Sequence, residues 1–140
     1  MNFIGAPYPM TRHPRGILRS QKGVNQVKSD LLVLLLTEPG ERVMLPDFGT
    51  PLKQFFFEQN DSVIVERVRE EIANSIRTWE PRIAVTAIEV SNSHESVAPS
   101  LSPMDDGESS DHVLMIRIQF TDFDDVQSVQ ELKLEIPLGG

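Results

Sequence analysis

Cysteine is absent from the 140 residues. That excludes a disulfide framework, a thiolate-held zinc or iron–sulfur centre and a cysteine nucleophile. Histidine is scarce, at positions 13, 94 and 112, and no two are three or four apart, so no helical metal-binding pair exists. Positive charge is in deficit: 13 basic against 21 acidic residues leave a net charge of −8. A whole-chain role on nucleic acid wants the opposite balance. Long apolar runs are missing too. The longest, Leu31 to Leu36, falls far short of the roughly 20 residues that span a bilayer. The stretch from Met1 to Pro9 is broken by Pro7 and has no charge ahead of its apolar residues, so it does not read as a secretory signal. These absences imply a protein without cofactor, metal, nucleic acid or membrane.

What charge there is has been sorted. Residues 1–30 hold Arg12, Arg15, Arg19, Lys22 and Lys28 against Asp30, a net of +4, whereas residues 91–125 hold eight acids against Arg117, a net of −7. Solvated surface is the ordinary reading of the acidic stretch. Complementary docking, within the fold or between neighbouring subunits, is the sharper one.

Residues 1–22 show no apolar periodicity and contain Pro7, Pro9 and Pro14. Each proline pushes its predecessor toward extended geometry, which predicts an extended arm. Phe3, Tyr8 and the other apolar residues there suit an anchored arm better than a free tail. The rest, 23–140, reads as a single domain. A helix is predicted from Asn25, as N-cap, to Leu36, with Val24, Val27, Leu31, Leu34 and Leu35 as its stripe. Pro39 and Gly40 end it. Arg42 to Leu45 reads as a short strand. Asp47 to Pro51 is a turn in which Thr50 caps a short helix through Leu52 and Phe55 to Phe57. A longer helix runs from Ser62 to Trp79 on Val65, Val68, Ile72 and Ile76, and Pro81 stops it. Three strands follow, at Arg82–Val90, Val113–Phe120 and Glu131–Ile136. The last two alternate cleanly, with Leu132, Leu134 and Ile136 inward. A long acidic loop at 91–111 separates the first two strands and is expected to be flexible. The order of elements makes the fold class α+β: helices on a small, mainly antiparallel sheet.

Catalytic signatures are thin. No Gly-rich phosphate loop and no Gly-x-Ser-x-Gly elbow is present. Neither Asp105–Glu108 nor Asp122–Asp125 has the spacing of a calcium loop. Carboxylates near element ends, such as Glu38, Glu41, Glu58 and Glu80, could serve a cell-wall hydrolase, but with 21 acids some pair always looks suitable. The segment Trp79-Glu80-Pro81-Arg82-Ile83 is more distinctive. It is either a helix end closed by a Glu80–Arg82 ion pair or an interaction corner, since tryptophan and arginine are common interface anchors.

The run from Leu34 to Leu52, with Pro39-Gly40-Glu41-Arg42 and Phe48-Gly49 in order, together with Glu80-Pro81-Arg82, resembles the contractile-tail baseplate wedge and sheath-initiator family. Asn2 to Pro9 and Gly23 to Asp30 resemble its T-even-like phage branch. TssE-type subunits of type VI secretion baseplates are relatives. The resemblance covers residues 1–92 and implies an α+β fold without catalysis. It implies a virion tail baseplate protein, assembled in the host cytoplasm. Glu80, Pro81 and Arg82, supported by Trp79, are expected to dock on the wedge core. The arm residues Phe3, Tyr8, Arg12 and Arg15 are expected to pack on a neighbouring baseplate protein. The strand of Leu132, Leu134 and Ile136 is expected to offer a sheet edge to arms of the sheath protein. Other wedge proteins, and tube or hub proteins, complete the implied partners. On this reading Arg82→Ala folds normally and fails only in assembly. A tail-associated hydrolase and a TssE-type subunit are the alternatives. The acidic 91–111 insert is longer than the family pattern.

Overall fold

A computed structural model describes residues 4–55, 62–92, 112–123 and 125–138. Phe3, Phe56, Phe57, Glu58 and the 93–111 part of the acidic loop lie outside the described residues. Strand β1 (Ile4–Gly5) pairs antiparallel with β2 (Gln21–Lys22), so the N-terminal arm closes on itself as a small ribbon rather than running extended throughout. Helix α1 (Val24–Leu36) follows at once, and after a long turn with one 3-10 turn at Lys53–Phe55 comes helix α2 (Ser62–Trp79). Strands β3 (Ile83–Asn92), β4 (His112–Asp122) and β5 (Val129–Leu138) form one antiparallel sheet in the order β3-β4-β5.

The helices form for the reasons their spacing gives. Val27, Leu31, Leu34 and Leu35 on α1 and Val68, Ile72 and Ile76 on α2 are buried against each other and the sheet. β4 supplies the centre of the sheet. Leu114, Ile116, Ile118 and Phe120, all on one face as side-chain alternation requires, are buried under the helices. Met115 and Arg117 point to the wet side, where Arg117 bridges Glu89 on β3 and Glu131 on β5. These cross-strand pairs are exposed and fix register more than they stabilise.

Three local expectations are corrected. Gly23, with φ of 66°, takes the N-cap position of α1 in place of Asn25, and no side chain caps the helix. Arg42 to Leu45 is not a strand. Its β-branched and apolar residues find no neighbour to pair with, and the segment is bent into a loop closed by Gly40 N–H donating to Pro46 O (2.7 Å). Val43 is 95% exposed there. Thr50 caps no helix. It is fully buried, and its hydroxyl donates to Leu34 O (3.2 Å), satisfying one of the carbonyls that the end of α1 leaves over. Of the helix expected after it, the described residues show a 3-10 turn at Lys53–Phe55, while Phe56 and Phe57 lie outside them.

That turn between the helices is pinned rather than loose. Thr50 N–H donates to Thr37 O, and Ser75 Oγ on α2 donates to Gly49 O (3.2 Å). Lys53 reaches back to Glu41 (2.9 Å), a wholly exposed pair that lowers the Glu41 pKa and raises that of Lys53 through their shared hydrogen bond. The packing of Phe48 edge-on against Trp79, ring centres 5.2 Å apart, ties the turn to the end of α2.

Candidate interaction site

Helix α2 ends at Trp79 because Pro81 cannot continue it. The last turn is closed by Glu80 N–H donating to Ile76 O (2.8 Å). This places Glu80 and Arg82 on either side of a tight corner, just before β3 begins. The Arg82 Nε and Nη2 donate to the two Glu80 carboxylate oxygens as a fork. Nη2 also donates to Asp30 Oδ2 on α1 (2.7 Å). Glu80 is only 5% exposed. The ion pair read from the sequence is therefore present, but its carboxylate is buried, its guanidinium half-buried, and it is shared with a third charge. The hydrogen bonds to Glu80 first and Asp30 second raise the Arg82 pKa further, against the burial that lowers it.

Asp30 has a second partner. Gln26 Nε2, one turn earlier on α1, donates to Asp30 Oδ1 (2.7 Å). Gln26 and Ser29 are both buried, and Ser29 Oγ donates to Gln21 on β2. So the arm ribbon lies on a polar strip of α1 beside the apolar stripe. Sequence reading missed Gln26, Ser29 and Asp30. Their one signal was two hydrogen-bonding residues, Gln26 and Asp30, four apart along the flank of the stripe.

A cleft of about 520 Å³ opens between the arm and this corner. It is lined by Gly5 and Ala6 of the arm, by Gln26 and Asp30 of α1, and by Trp79, Glu80 and Arg82 at the corner. Arg42, from the loop, stands over the Phe48 ring, 4.0 Å from its centre, at the same cleft. Gly5 has an ordinary φ, but its main chain lies almost on the Gln26 amide: a Cβ there would come 2.5 Å from Gln26 Nε2. Gly5→Ala is accordingly expected to lift the arm off α1 while leaving the core intact. Faster amide hydrogen exchange at Ile4, Gly5 and Lys22, with unchanged protection in β4, is the measurement that checks it.

The predicted sites are thus partly brought together. The arm and the Glu80-Pro81-Arg82 corner share one cleft. Tyr8, Arg12 and Arg15 are exposed and do not line it, while the Tyr8–Pro9 bond is cis. Phe3 is outside the described residues. Pro81 is exposed and Trp79 half-buried. On β5, Leu132 and Ile136 are buried in the core and Leu134 packs against it, so what the strand presents outward is its main-chain edge and Glu131, Lys133 and Glu135. Among the described residues, no group of three or more histidine, aspartate or glutamate side chains could hold a metal ion. Nor is any described helix long and apolar enough to cross a membrane.

Two helices on a three-stranded antiparallel sheet, with an ion-pair corner where helix meets sheet, define a small α+β module. The family model described as baseplate wedge protein gp25 matches residues 21–121, and the chain belongs to that family of phage tail baseplate structural proteins. It is 26% identical to the baseplate wedge protein gp25 of Enterobacteria phage T4 over 114 residues, covering 81% of this chain and 75% of that protein. Among solved structures, a Geobacter sulfurreducens protein described as a tail lysozyme shares the fold with a TM-score of 0.64 at 22% identity, over 82% of this chain and 90% of that one. A chain of the anti-feeding prophage baseplate matches with a TM-score of 0.63 at 18% identity, over 99% and 87%. A chain of the type VI secretion system baseplate complex matches at 0.55 and 14%, over 82% and 93%.

Proposed function

We propose that this chain is a non-enzymatic adaptor of a phage tail baseplate, which docks on the wedge core through the Glu80-Pro81-Arg82 corner and starts the sheath by offering a strand edge. The observation that carries the second part is the difference between the two edges of the sheet. β5 pairs with β4 through ten consecutive residues, from Thr121↔Val129 to His112↔Leu138, without a register shift. β3 carries a bulge: Val85 pairs with Phe120 and Ala87 with Gln119, leaving Thr86 unmatched. Bulges are a common way to spoil an edge for pairing. The regular edge is therefore the one suited to receive an added strand, with backbone hydrogen bonds giving affinity and alternation giving register. Glu131, Lys133 and Glu135 keep that edge soluble before assembly.

Family membership supports the docking part, as does the presence of two fold relatives in baseplates. Hydrolysis has less support. Both oxygens of Glu80 are taken by the Arg82 fork, which leaves none placed to protonate a glycosidic oxygen.

The test is sheath polymerisation seeded by wedge complexes. Deleting β5 would strip Leu132 and Ile136 from the core, so the edge is better spoiled by Lys133→Pro. Proline already stands in the same alternating set of this strand, at Pro137. Lys133→Pro is expected to enter wedges normally and to lower seeded sheath growth at least tenfold. Growth at the wild-type rate from wedges carrying the variant, or from wedges lacking the chain, would remove the sheath role and leave a wedge component alone.

A further inference from the structure

We infer that the cleft between the arm and the corner receives a basic side chain, an arginine or lysine, of the wedge core protein that docks there. The inference rests on the docking reading above and adds the chemistry of the partner. Its first ground is Gln26. The residue is only 5% exposed, its Nε2 is spent on Asp30, and its buried Oε1 accepts no hydrogen bond among the described residues. A buried acceptor without a donor destabilises the free chain. The bond to Asp30 accounts for the Nε2 of this residue on the flank of the α1 stripe, but nothing within the described fold accounts for the Oε1. What it lacks is an N–H donor arriving from the cleft that it lines.

The second ground is charge. The cleft is lined by two carboxylates, Asp30 and Glu80, and by two guanidiniums, of which Arg82 is shared by both carboxylates. Each carboxylate oxygen keeps lone pairs beyond the bonds it makes. Arg42, the other cation on the lining, is held over Phe48. The chain as a whole carries −8, which favours the approach of a basic surface. The third ground is fit. A volume of about 520 Å³ takes a long aliphatic stem with a charged head. Trp79 on the lining suits such a stem and its cation. The guest's N–H groups then reach Gln26 Oε1 and the free lone pairs of Asp30.

The experiment measures affinity for the purified cognate wedge core alongside thermal stability, for the full chain and three variants. Gln26→Leu is expected to keep or raise Tm while weakening binding at least tenfold. A residue with a purely structural role would not lower affinity while leaving Tm intact. Gln26→Lys, whose ammonium reaches Asp30 and occupies the guest's place, is expected to stay folded and to weaken binding further. The double variant Glu80→Met/Arg82→Met reports on the docking reading itself. If it loses binding while both Gln26 variants bind within twofold of wild type, the cleft takes no partner side chain and the docking reading survives. If neither the double variant nor the Gln26 variants lose binding, docking at the corner fails and the inference falls with it. If affinity falls only in step with Tm in both Gln26 variants, the amide is structural and the inference is overturned.

Discussion

Arg82→Ala is expected to cost about 3–5 kcal/mol of folding stability, the usual penalty for removing one partner of a buried pair. That is a large part of the roughly 5–15 kcal/mol that holds a domain of this kind together. The reason is geometric. Glu80 is nearly sealed from water, and the Arg82 fork satisfies both of its oxygens while also tying Asp30 of α1 to the start of β3. The mutant keeps a buried carboxylate with nothing to pair it. So the sequence-based expectation that Arg82→Ala folds normally gives way: a failure of that variant in wedge assembly would report unfolding as readily as lost docking. The two are separated by taking both charges away. Glu80→Met/Arg82→Met leaves no unpaired buried charge, and such apolar replacements of buried pairs are often neutral or stabilising. Urea melts of the wild type, Arg82→Ala and the double variant check this. Arg82→Ala should have a much lower midpoint, and the double variant should recover most of the loss. A double variant as unstable as Arg82→Ala would mean the network does more than neutralise Glu80.

Gly49→Ala is expected to be comparably damaging, by about 3–5 kcal/mol when a strained positive φ and overpacking against fixed backbone are combined. Gly49 has φ of 130°, and a Cβ there would lie 2.3 Å from Thr37 O and 2.9 Å from the Glu38 carbonyl carbon. Those are main-chain atoms at the end of α1 and cannot rotate away as a side chain would. The same residue accepts the Ser75 hydroxyl of α2 through its carbonyl, and Thr50 beside it bonds Thr37 and Leu34. Moving the loop therefore breaks the seam between the two helices. Thermal unfolding followed by Trp79 fluorescence suits this variant, because Phe48 packs on that indole. A Tm within a few degrees of wild type would show the clash to be absorbed elsewhere.

What could be read in the sequence was what depends on neighbours along the chain. α2 runs from Ser62 to Trp79 as its apolar spacing required, and β4 buries the alternating set Leu114, Ile116, Ile118 and Phe120. The Glu80–Arg82 pair was legible because two residues across a proline corner must lie close. Asp30 was not, since it stands 52 positions before Arg82 and nothing local marks the contact. Gln26 was missed for a related reason: an amide on a helix flank reads as solvated until the arm is seen to cover it. The strand expected at Arg42–Leu45 came from residue preference, and preference yields no strand where the fold offers no partner. Asn25 lost the cap to Gly23 because the chain turns straight from β2 into α1, a bend taken at a positive φ.

The unmatched Thr86 gives the sheet a front and a back. A strand arriving at β5 meets ten positions in step, whereas one arriving at β3 falls out of phase partway along. Addition to such a sheet is one-sided, like a zipper with a single open end. On the proposed sheath-starting role, where each added layer exposes an edge of the same kind, the sense of propagation is inherited from the first molecule, and the template specifies the direction of growth as well as its starting point.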